Sequence, residues 1–424
     1  MSGATIIDDL LARGLVQDHT DLDALRARLD AGPMTLYVGF DPSAESLHVG
    51  NLVPLLLLRR FQLAGHVPIA LAGGATGMVG DPGGRSEERN LLDGETLGRN
   101  TRAIKAQLSA FLDFEPGPVQ ARLVDNRDWT EPMGVLDFLR DVGKHVTVNY
   151  MLAKESVRTR VASEHGISFT EFSYMLLQAN DYHWLHANAG CELQAGGSDQ
   201  WGNITAGIEL VRRRAGTAVH GLTVPLVTRS DGEKFGKSVD GALWLDPART
   251  SPYALYQYFV NLPDADVERY LLQLTLMPVE EVRRIAAEHS AAPERRGGQQ
   301  RLAFEVTALI HGELAAREAA HASTGFTSAS GALSAEQLEA LAGEIPTTRA
   351  EVVGRDVIDL LIEAGLATGR GDARRLIEGG GIYVNDAALA ESRRLADGDL
   401  LHGRFVMLRK GKRNRHLLVT PSPS

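Results

Sequence analysis

Two hydrophobic periods run along this chain. Short apolar runs read as buried strands at Met34 to Phe40, Val67 to Ala72, Ala121 to Val124, Cys191 to Gly196 and His220 to Val227. Between them lie segments of helical period, at 48–64, 95–113, 170–188 and a stretch ending at Arg214. Two further short helices are expected within 5–30. The alternation predicts an α/β fold, a Rossmann-like five-stranded parallel sheet with crossover helices. The block at about 126–190 is mostly helical and breaks the alternation, so it reads as a helical insertion. Downstream the pattern turns α-helical, with Pro252 starting one helix and others at 266–275, 278–289 and 297–321. Ala322 to Gly331 is small and polar, a linker composition. From Arg355 a new pattern begins: an amphipathic helix from Asp356 to Glu363, then helix, glycine stop and strand from Asp372 to Asn385. The expected organisation is a Rossmann-like domain over 1–228, a loop and α-helical domain over 229–321, a linker over 322–350 and a small α+β domain over 351–424.

An open parallel sheet keeps its ligand at the carboxyl ends of its strands, and helix N-termini there favour phosphate. The first strand end carries Tyr37, Gly39, Asp41, Ser43, His48, Gly50 and Asn51, with Ser46 placed to cap the helix that follows. A plain βα turn with polar residues is the alternative. The second strand runs into Gly73 to Gly84, whose glycines allow close backbone approach but lack the dinucleotide spacing. Asp81 in that loop suits a cation or an amino group, and Arg85 and Arg89 suit phosphate; a flexible turn and solvated arginines are the alternatives. Tyr174, Gln178 and Asp181 are spaced four and three apart, which puts them on one helix face. Asp199 and Gln200 follow the fourth strand in Gly196 to Asn203, where a carboxylate suits ribose hydroxyls or simply caps a helix. The basic residues of 144–160, including Lys154, Arg158 and Arg160, read as a phosphate contact or a solvated helix face. Ser230 to Ser238 holds Lys234 and Lys237 among glycines and could clamp a polyphosphate. It is not a P-loop: Gly232 and Gly236 enclose one residue too few.

Formal net charge is −10, which argues against a surface coated in nucleic acid. Residues 401–424 nevertheless hold six Arg or Lys and no Asp or Glu, which points to a local polyanion site. The single cysteine, Cys191, excludes an intrachain disulfide and a cysteine metal cluster. The N-terminus is not of signal-peptide type, and the longest apolar run, Leu52 to Leu58, is too short for a membrane. A cytoplasmic protein is expected.

Together these blocks resemble the bacterial tyrosyl-tRNA synthetases, a family of class I aminoacyl-tRNA synthetases. His48-Val-Gly-Asn51 is similar to the class I HIGH signature, and Lys234-Phe-Gly-Lys-Ser238 to its KMSKS partner, roughly 185 residues on. Residues 355–420 resemble an S4 RNA-binding domain. The resemblance implies activation of L-tyrosine by ATP to tyrosyl-adenylate, then transfer of tyrosine to the 3′ end of its tRNA. It implies that Tyr37 and Asp181 bond the phenol hydroxyl, that Asp81, Tyr174 and Gln178 hold the ammonium, and that Gln200 faces the carboxylate. ATP would fall to Gly39, Asp41, Gly50, Asn51, Gly197, Asp199 and Lys237. The catalytic set would be Ser43, His48, Lys234, Lys237, Ser238, Arg85 and Arg89, holding the phosphates most strongly in the transition state. Mg²⁺ would arrive on the ATP phosphates, with no metal bound by the protein itself. A homodimer through the helical insertion around Val146 to Phe172 is implied as well. The family is the standard example of rejecting phenylalanine by leaving buried polar partners unpaired. Asn51 replaces the last His of the signature, Arg85 stands where a lysine is common, and Pro54 falls in the helix's second turn. A tryptophan enzyme and a non-catalytic RNA-binding scaffold are the rival readings.

Overall fold

The computed structural model describes residues 3–82, 92–163, 166–230, 235–238, 241–327, 333–342, 345–411 and 414–421. The chain forms two compact units. One comprises Met1–Arg249 with Leu262–Gly298, the other Thr250–Asn261 with Gln299–Ser424.

The first unit is built on five strands, β1 (Thr35–Phe40), β2 (Val67–Ala72), β3 (Arg122–Asp125), β4 (Cys191–Gly197) and β5 (His220–Val224). All pair in parallel, in the order β3-β2-β1-β4-β5. Leu36, Ile69, Leu193 and Leu222 are fully buried, as expected of a parallel sheet covered on both faces. The winding reverses between β1 and β4, which opens a crevice at their carboxyl ends. β5 stops at Val224, three residues before the expected end, because Pro225 has no N–H for the ladder.

The helix after β1 departs from expectation in its cap. A single 3₁₀ turn, Val49–Asn51, precedes the α-helix Leu52–Leu63. Ser46 does not cap it; its hydroxyl donates to the Leu47 carbonyl (2.7 Å) and accepts from Gln107 (2.9 Å). His48 does the capping instead, its Nδ1 accepting the Gly50 N–H at 3.1 Å while Asn51 Oδ1 accepts the His48 N–H at 3.1 Å. Pro54 therefore lies in the first α-helical turn, where its missing N–H breaks no intrahelical bond.

The helical block carries Arg127–Thr130, Val135–Asp141, Val148–Leu152, Glu155–Val161 and the long helix Phe169–Ala189. Ser168 caps that last helix and Gly190 ends it at φ 65°, a left-handed stop that glycine adopts without strain. The expected basic face of 144–160 holds only in part: Lys144 and Arg158 are exposed, but two of its members are engaged elsewhere. Arg160 is buried in an ion pair with Glu171 at 2.6 Å, and Lys154 donates to Thr205 at 2.8 Å. Their partners lie on other helices, so spacing along one helix could not reveal them.

Beyond β5, the short strands β6 (Lys237–Ser238) and β7 (Gly241–Ala242) pair antiparallel. The helices Val267–Leu274 and Val279–Ala291 complete this unit.

In the second unit the expected helix 297–321 is two helices, Gly297–His311 and Glu313–Thr327, broken at Gly312 with φ 88°. The expected linker is partly helical: residues 322–327 continue the second of these, and Ala335–Ala342 is another helix. A sheet of β8 (Thr347–Arg349), β9 (Ile382–Val384), β10 (Ala387–Ala388), β11 (Phe405–Lys410) and β12 (Asn414–Val419) follows, in the order β10-β9-β11-β12-β8. β11 shows strand alternation directly. Val406 and Leu408 pack with Leu360 and Leu361 of the helix Val357–Glu363, while Phe405 and Met407 pack with Leu338 and Leu341. Small polar residues at 322–331 hid the helix because helix propensity and loop composition overlap in Ala and Ser.

Candidate active site

The crevice at the carboxyl ends of β1 and β4 is a cavity of about 490 Å³. Fourteen residues singled out from sequence line it. Tyr37 and Gly39 come from β1, and Asp41, Ser43, His48, Gly50 and Asn51 from the turn after it. Asp81 comes from the loop beyond β2, and Tyr174, Gln178 and Asp181 from the helix Phe169–Ala189. Gly197, Asp199 and Gln200 come from the end of β4. Lys237 and Ser238 are described only as the backbone of β6. Arg85, Arg89 and Lys234 lie outside the described residues.

One end of the cavity is a buried polar nest around Asp181. Its Oδ1 accepts from Trp129 Nε1 at 2.8 Å and its Oδ2 from Asn126 Nδ2 at 3.0 Å. Burial pushes the Asp181 pKa up to about 7 against the pull of those two hydrogen bonds, and Asp41 and Asp125 push it the same way. The Tyr37 hydroxyl is buried there with no hydrogen-bond partner. Burial, with the Asp181 charge second, holds its pKa well above the usual phenol value. Its ring meets Tyr182 edge to face at 5.5 Å.

Asp41 forms the next station. Its Oδ2 accepts from the Tyr174 hydroxyl at 2.8 Å and its Oδ1 from Thr76 Oγ1 at 2.7 Å. Burial raises the Tyr174 pKa well above the usual phenol value, and Asp41 and Asp81 add to it. Asp81 accepts from Gln200 Nε2 at 2.7 Å, and Asn203 donates to Gln200 Oε1 at 3.1 Å. Burial also raises the Asp199 carboxyl pKa, opposed by Gln200 and helped by Asp81. Four aspartates thus line one cavity, a field that favours a bound ammonium.

Glycines set the shape of the opposite end. A Cβ on Gly50 would stand 2.8 Å from His48 Cε1, and one on Gly197 would stand 2.7 Å from Asp199 Oδ1. His48 keeps an open edge to solvent, yet the chain packed around it lowers its pKa, so the ring is neutral at pH 7. Residues 243–246 run beside this turn. Val49 N–H donates to the Leu243 carbonyl at 3.0 Å and Leu245 N–H to the Leu47 carbonyl at 2.8 Å. The strand pair β6–β7 is therefore stitched to the residues that flank His48.

Thr76, Asn126, Trp129 and Asn203 belong to these networks and were not singled out from sequence. The strand-end rule could have found Asn126, since it directly follows β3. Trp129 gave no signal, because a lone Trp in a helical block reads as core.

Comparison with known proteins adds independent findings. The family model described as tRNA synthetases class I (W and Y) matches residues 29–328. A second, the tyrosine–tRNA ligase SYY-like C-terminal domain, matches residues 337–418. A tyrosine–tRNA ligase of Opitutus terrae is 55% identical over 416 residues, 96% of this chain and 98% of that protein. A tyrosine–tRNA ligase of Bacillus caldotenax is 49% identical over 417 residues, 97% of this chain and 99% of that one. Among solved structures, a C-terminally truncated mitochondrial tyrosyl-tRNA synthetase of Aspergillus nidulans aligns with TM-score 0.68 at 33% identity, covering 74% of this chain and 92% of that one. A tryptophanyl-tRNA synthetase of Encephalitozoon cuniculi shares the fold at TM-score 0.56 and 13% identity, over 80% of this chain and 94% of that one. A crevice at the switch point of a five-stranded parallel sheet and a family match over most of its length agree: this chain belongs to the class I tRNA synthetases of the tryptophan and tyrosine type.

Proposed function

We infer that this chain is a tyrosine–tRNA ligase. It activates L-tyrosine with ATP and passes the tyrosyl group to the 3′ end of tRNA(Tyr). The observation that carries the amino-acid assignment is the pair Tyr37 and Asp181, a buried hydroxyl without a partner beside a buried carboxylate in one cavity. A phenol hydroxyl entering there accepts from Tyr37 and donates to Asp181. Indole offers a donor but no acceptor, and phenylalanine offers neither. Asp81, Tyr174 and Gln178 receive the ammonium, and Gln200 faces the carboxylate.

The tyrosine carboxylate attacks the α-phosphorus of ATP. A new P–O bond forms, the bond to the bridging oxygen breaks, and pyrophosphate leaves with the electron pair. No proton moves in this step, so the site's task is to orient two anions and stabilise the charge that builds between them. Gly39, Asp41, Gly50, Asn51, Gly197 and Asp199 hold the nucleoside side. Ser43, His48, Lys234, Lys237, Ser238, Arg85 and Arg89 hold the phosphates. A ribose hydroxyl of the tRNA then attacks the tyrosyl carbonyl and AMP departs. Mg²⁺ enters on the ATP phosphate oxygens; among the described residues no group of three or more His, Cys, Asp or Glu is placed to hold a metal.

The tRNA is read in part by the C-terminal sheet and its helices. The basic balance of 401–424 and the SYY-like match over 337–418 support this. A homodimer forms through the helical insertion. Among the described residues, seven of the twelve exposed large apolar side chains fall between 135 and 169, among them Val135, Leu136 and Phe169, each more than 70% exposed. Exposed large apolar side chains gathered in one stretch of chain support an association surface there. No described helix is long and apolar enough to cross a membrane, and we place the enzyme in the cytoplasm, with its tRNA. Replacing Asp181 by Ala tests the reading: tyrosine should lose its advantage over phenylalanine while ATP binding persists. Unchanged selectivity would refute it.

A further inference from the structure

The segment that carries Lys237 and Ser238 leaves the sheet after β5 and is held at two feet. The far foot is the ladder beside His48, where Leu243 N–H donates to the Gly236 carbonyl at 2.8 Å. The near foot is made by the start of the helix Val267–Leu274. Asp266 accepts the Ser230 N–H at both carboxylate oxygens, 3.2 and 3.0 Å, and the Ser230 hydroxyl at 3.0 Å. Two residues upstream, the Thr228 carbonyl accepts from Arg269 at 2.5 Å and from the Tyr270 hydroxyl at 2.8 Å. Arg269 also pairs with Asp266. Further along the segment, Phe235 lays its ring 5.1 Å from the ring of Tyr270.

Asp266 stands where a helix N-cap stands, yet its side chain makes no cap bond to its own helix. It is 1% exposed, and burying a carboxylate is costly unless directed partners meet it. Ser230 and Arg269 meet it. The helix that bears it is in turn fixed to the phosphate end of the site. Arg60, on the Leu52–Leu63 helix that begins just after His48, donates to the Leu272 carbonyl at 3.2 Å and to that of Thr275. Arg13 donates to Leu272 at 3.1 Å and to Met277 at 2.7 Å. A chain of hydrogen bonds thus runs from the Leu52–Leu63 helix, through Val267–Leu274, to Ser230.

We propose that Asp266, supported by Arg269 and Tyr270, is a positioning residue for adenylate formation: it fixes the near foot of the segment bearing Lys237 and Ser238 relative to His48. The proposal rests on the functional reading above. Displacing a catalytic group by about 1 Å costs on the order of 100-fold in rate, so a loosened foot should act on the chemical step and leave tyrosine binding alone.

The test is tyrosine-dependent pyrophosphate–ATP exchange by the full-length protein, with Asp266→Ala, Asp266→Asn and Tyr270→Phe. We expect Asp266→Ala to lower kcat by about tenfold or more with the tyrosine KM within about twofold of the parent. Asp266→Asn keeps one acceptor and should recover part of the rate. Tyr270→Phe keeps the ring beside Phe235 and removes the hydroxyl that holds Thr228, so it should give a smaller fall in kcat; it decides the matter if Asp266→Ala does not fold. A folded variant set with kcat unchanged, or with the loss expressed in tyrosine KM, overturns the proposal. Absence of exchange in the parent protein would overturn the functional reading and this inference with it.

Discussion

Asn126 donates its side-chain amide to the Asp181 carboxylate at 3.0 Å and to Thr76 Oγ1 at 3.0 Å. Its carbonyl oxygen accepts the Ala75 N–H at 2.7 Å. Thr76 passes the connection on to Asp41, which holds Tyr174. One fully buried amide therefore links the Asp181 carboxylate, through Thr76, with the Asp41 carboxylate. Asp181 also takes the Trp129 N–H, so each of its oxygens is aimed by a fixed donor.

Removing that amide should damage selectivity more than catalysis. Asn126→Ala leaves Asp181 and Thr76 each short of a buried partner, worth about 1–3 kcal/mol. The ratio of kcat/KM for tyrosine over phenylalanine should fall by about tenfold or more, with the ATP KM nearly unchanged. Exchange assays with both amino acids read this directly, and an unaltered ratio would mean that Trp129 alone orients Asp181.

The raised pKa of Asp181 gives a pH signature whose sign is fixed. The carboxyl titrates at 3.8 when unfolded and at about 7 in the fold. Between these values the folded state binds more protons than the unfolded one, so this group's contribution to stability falls as pH rises from about 4 to about 7 and is level above. Asp181→Asn should lack that slope in denaturant titrations across the range. The ionised carboxylate is the form that accepts from a phenol, so selectivity for tyrosine over phenylalanine should rise through pH 7 and then level. A flat profile would place the Asp181 pKa elsewhere.

How much of this was legible in the sequence depends on whether partners lie near in the chain. Tyr174, Gln178 and Asp181 were readable because helical spacing alone puts them on one face. Tyr37, Asp41, Asp199 and Gln200 were readable because they sit at strand ends. Asn126 and Trp129 were missed because their partner is more than fifty residues away. Arg160 read as a phosphate contact or a solvated charge because its partner Glu171 sits on a different helix, which spacing within one helix does not show. Ser46 looked like a helix cap, and lost that role to His48 because Gln107 and the Leu47 carbonyl claim its hydroxyl. The break at Gly312 was not read, since glycine inside a helical pattern is tolerated as often as it ends one.

The buried pair Arg160–Glu171 locks the Glu155–Val161 helix to the first turn of the helix that carries Tyr174. Arg160→Met alone should cost about 3–5 kcal/mol, because it strands a carboxylate in the interior. Replacing both partners by Met and Leu should restore most of that stability. Denaturant midpoints of the parent and the two variants check this, and equal midpoints for the single and double variants would contradict it.

The apolar face of the insertion should behave as a subunit contact. Leu136→Glu with Phe169→Glu should shift sedimentation at micromolar concentration from dimer to monomer, while circular dichroism stays unchanged. A parent protein that sediments as a monomer would dismiss the proposed homodimer.

The most direct measurement is pyrophosphate–ATP exchange with tyrosine, tryptophan and phenylalanine in turn. The account predicts exchange driven by tyrosine and by neither of the others at comparable concentration. Exchange driven by tryptophan would keep the class I chemistry and overturn the reading of Tyr37 and Asp181, and no exchange with any of the three would contradict the adenylate mechanism itself.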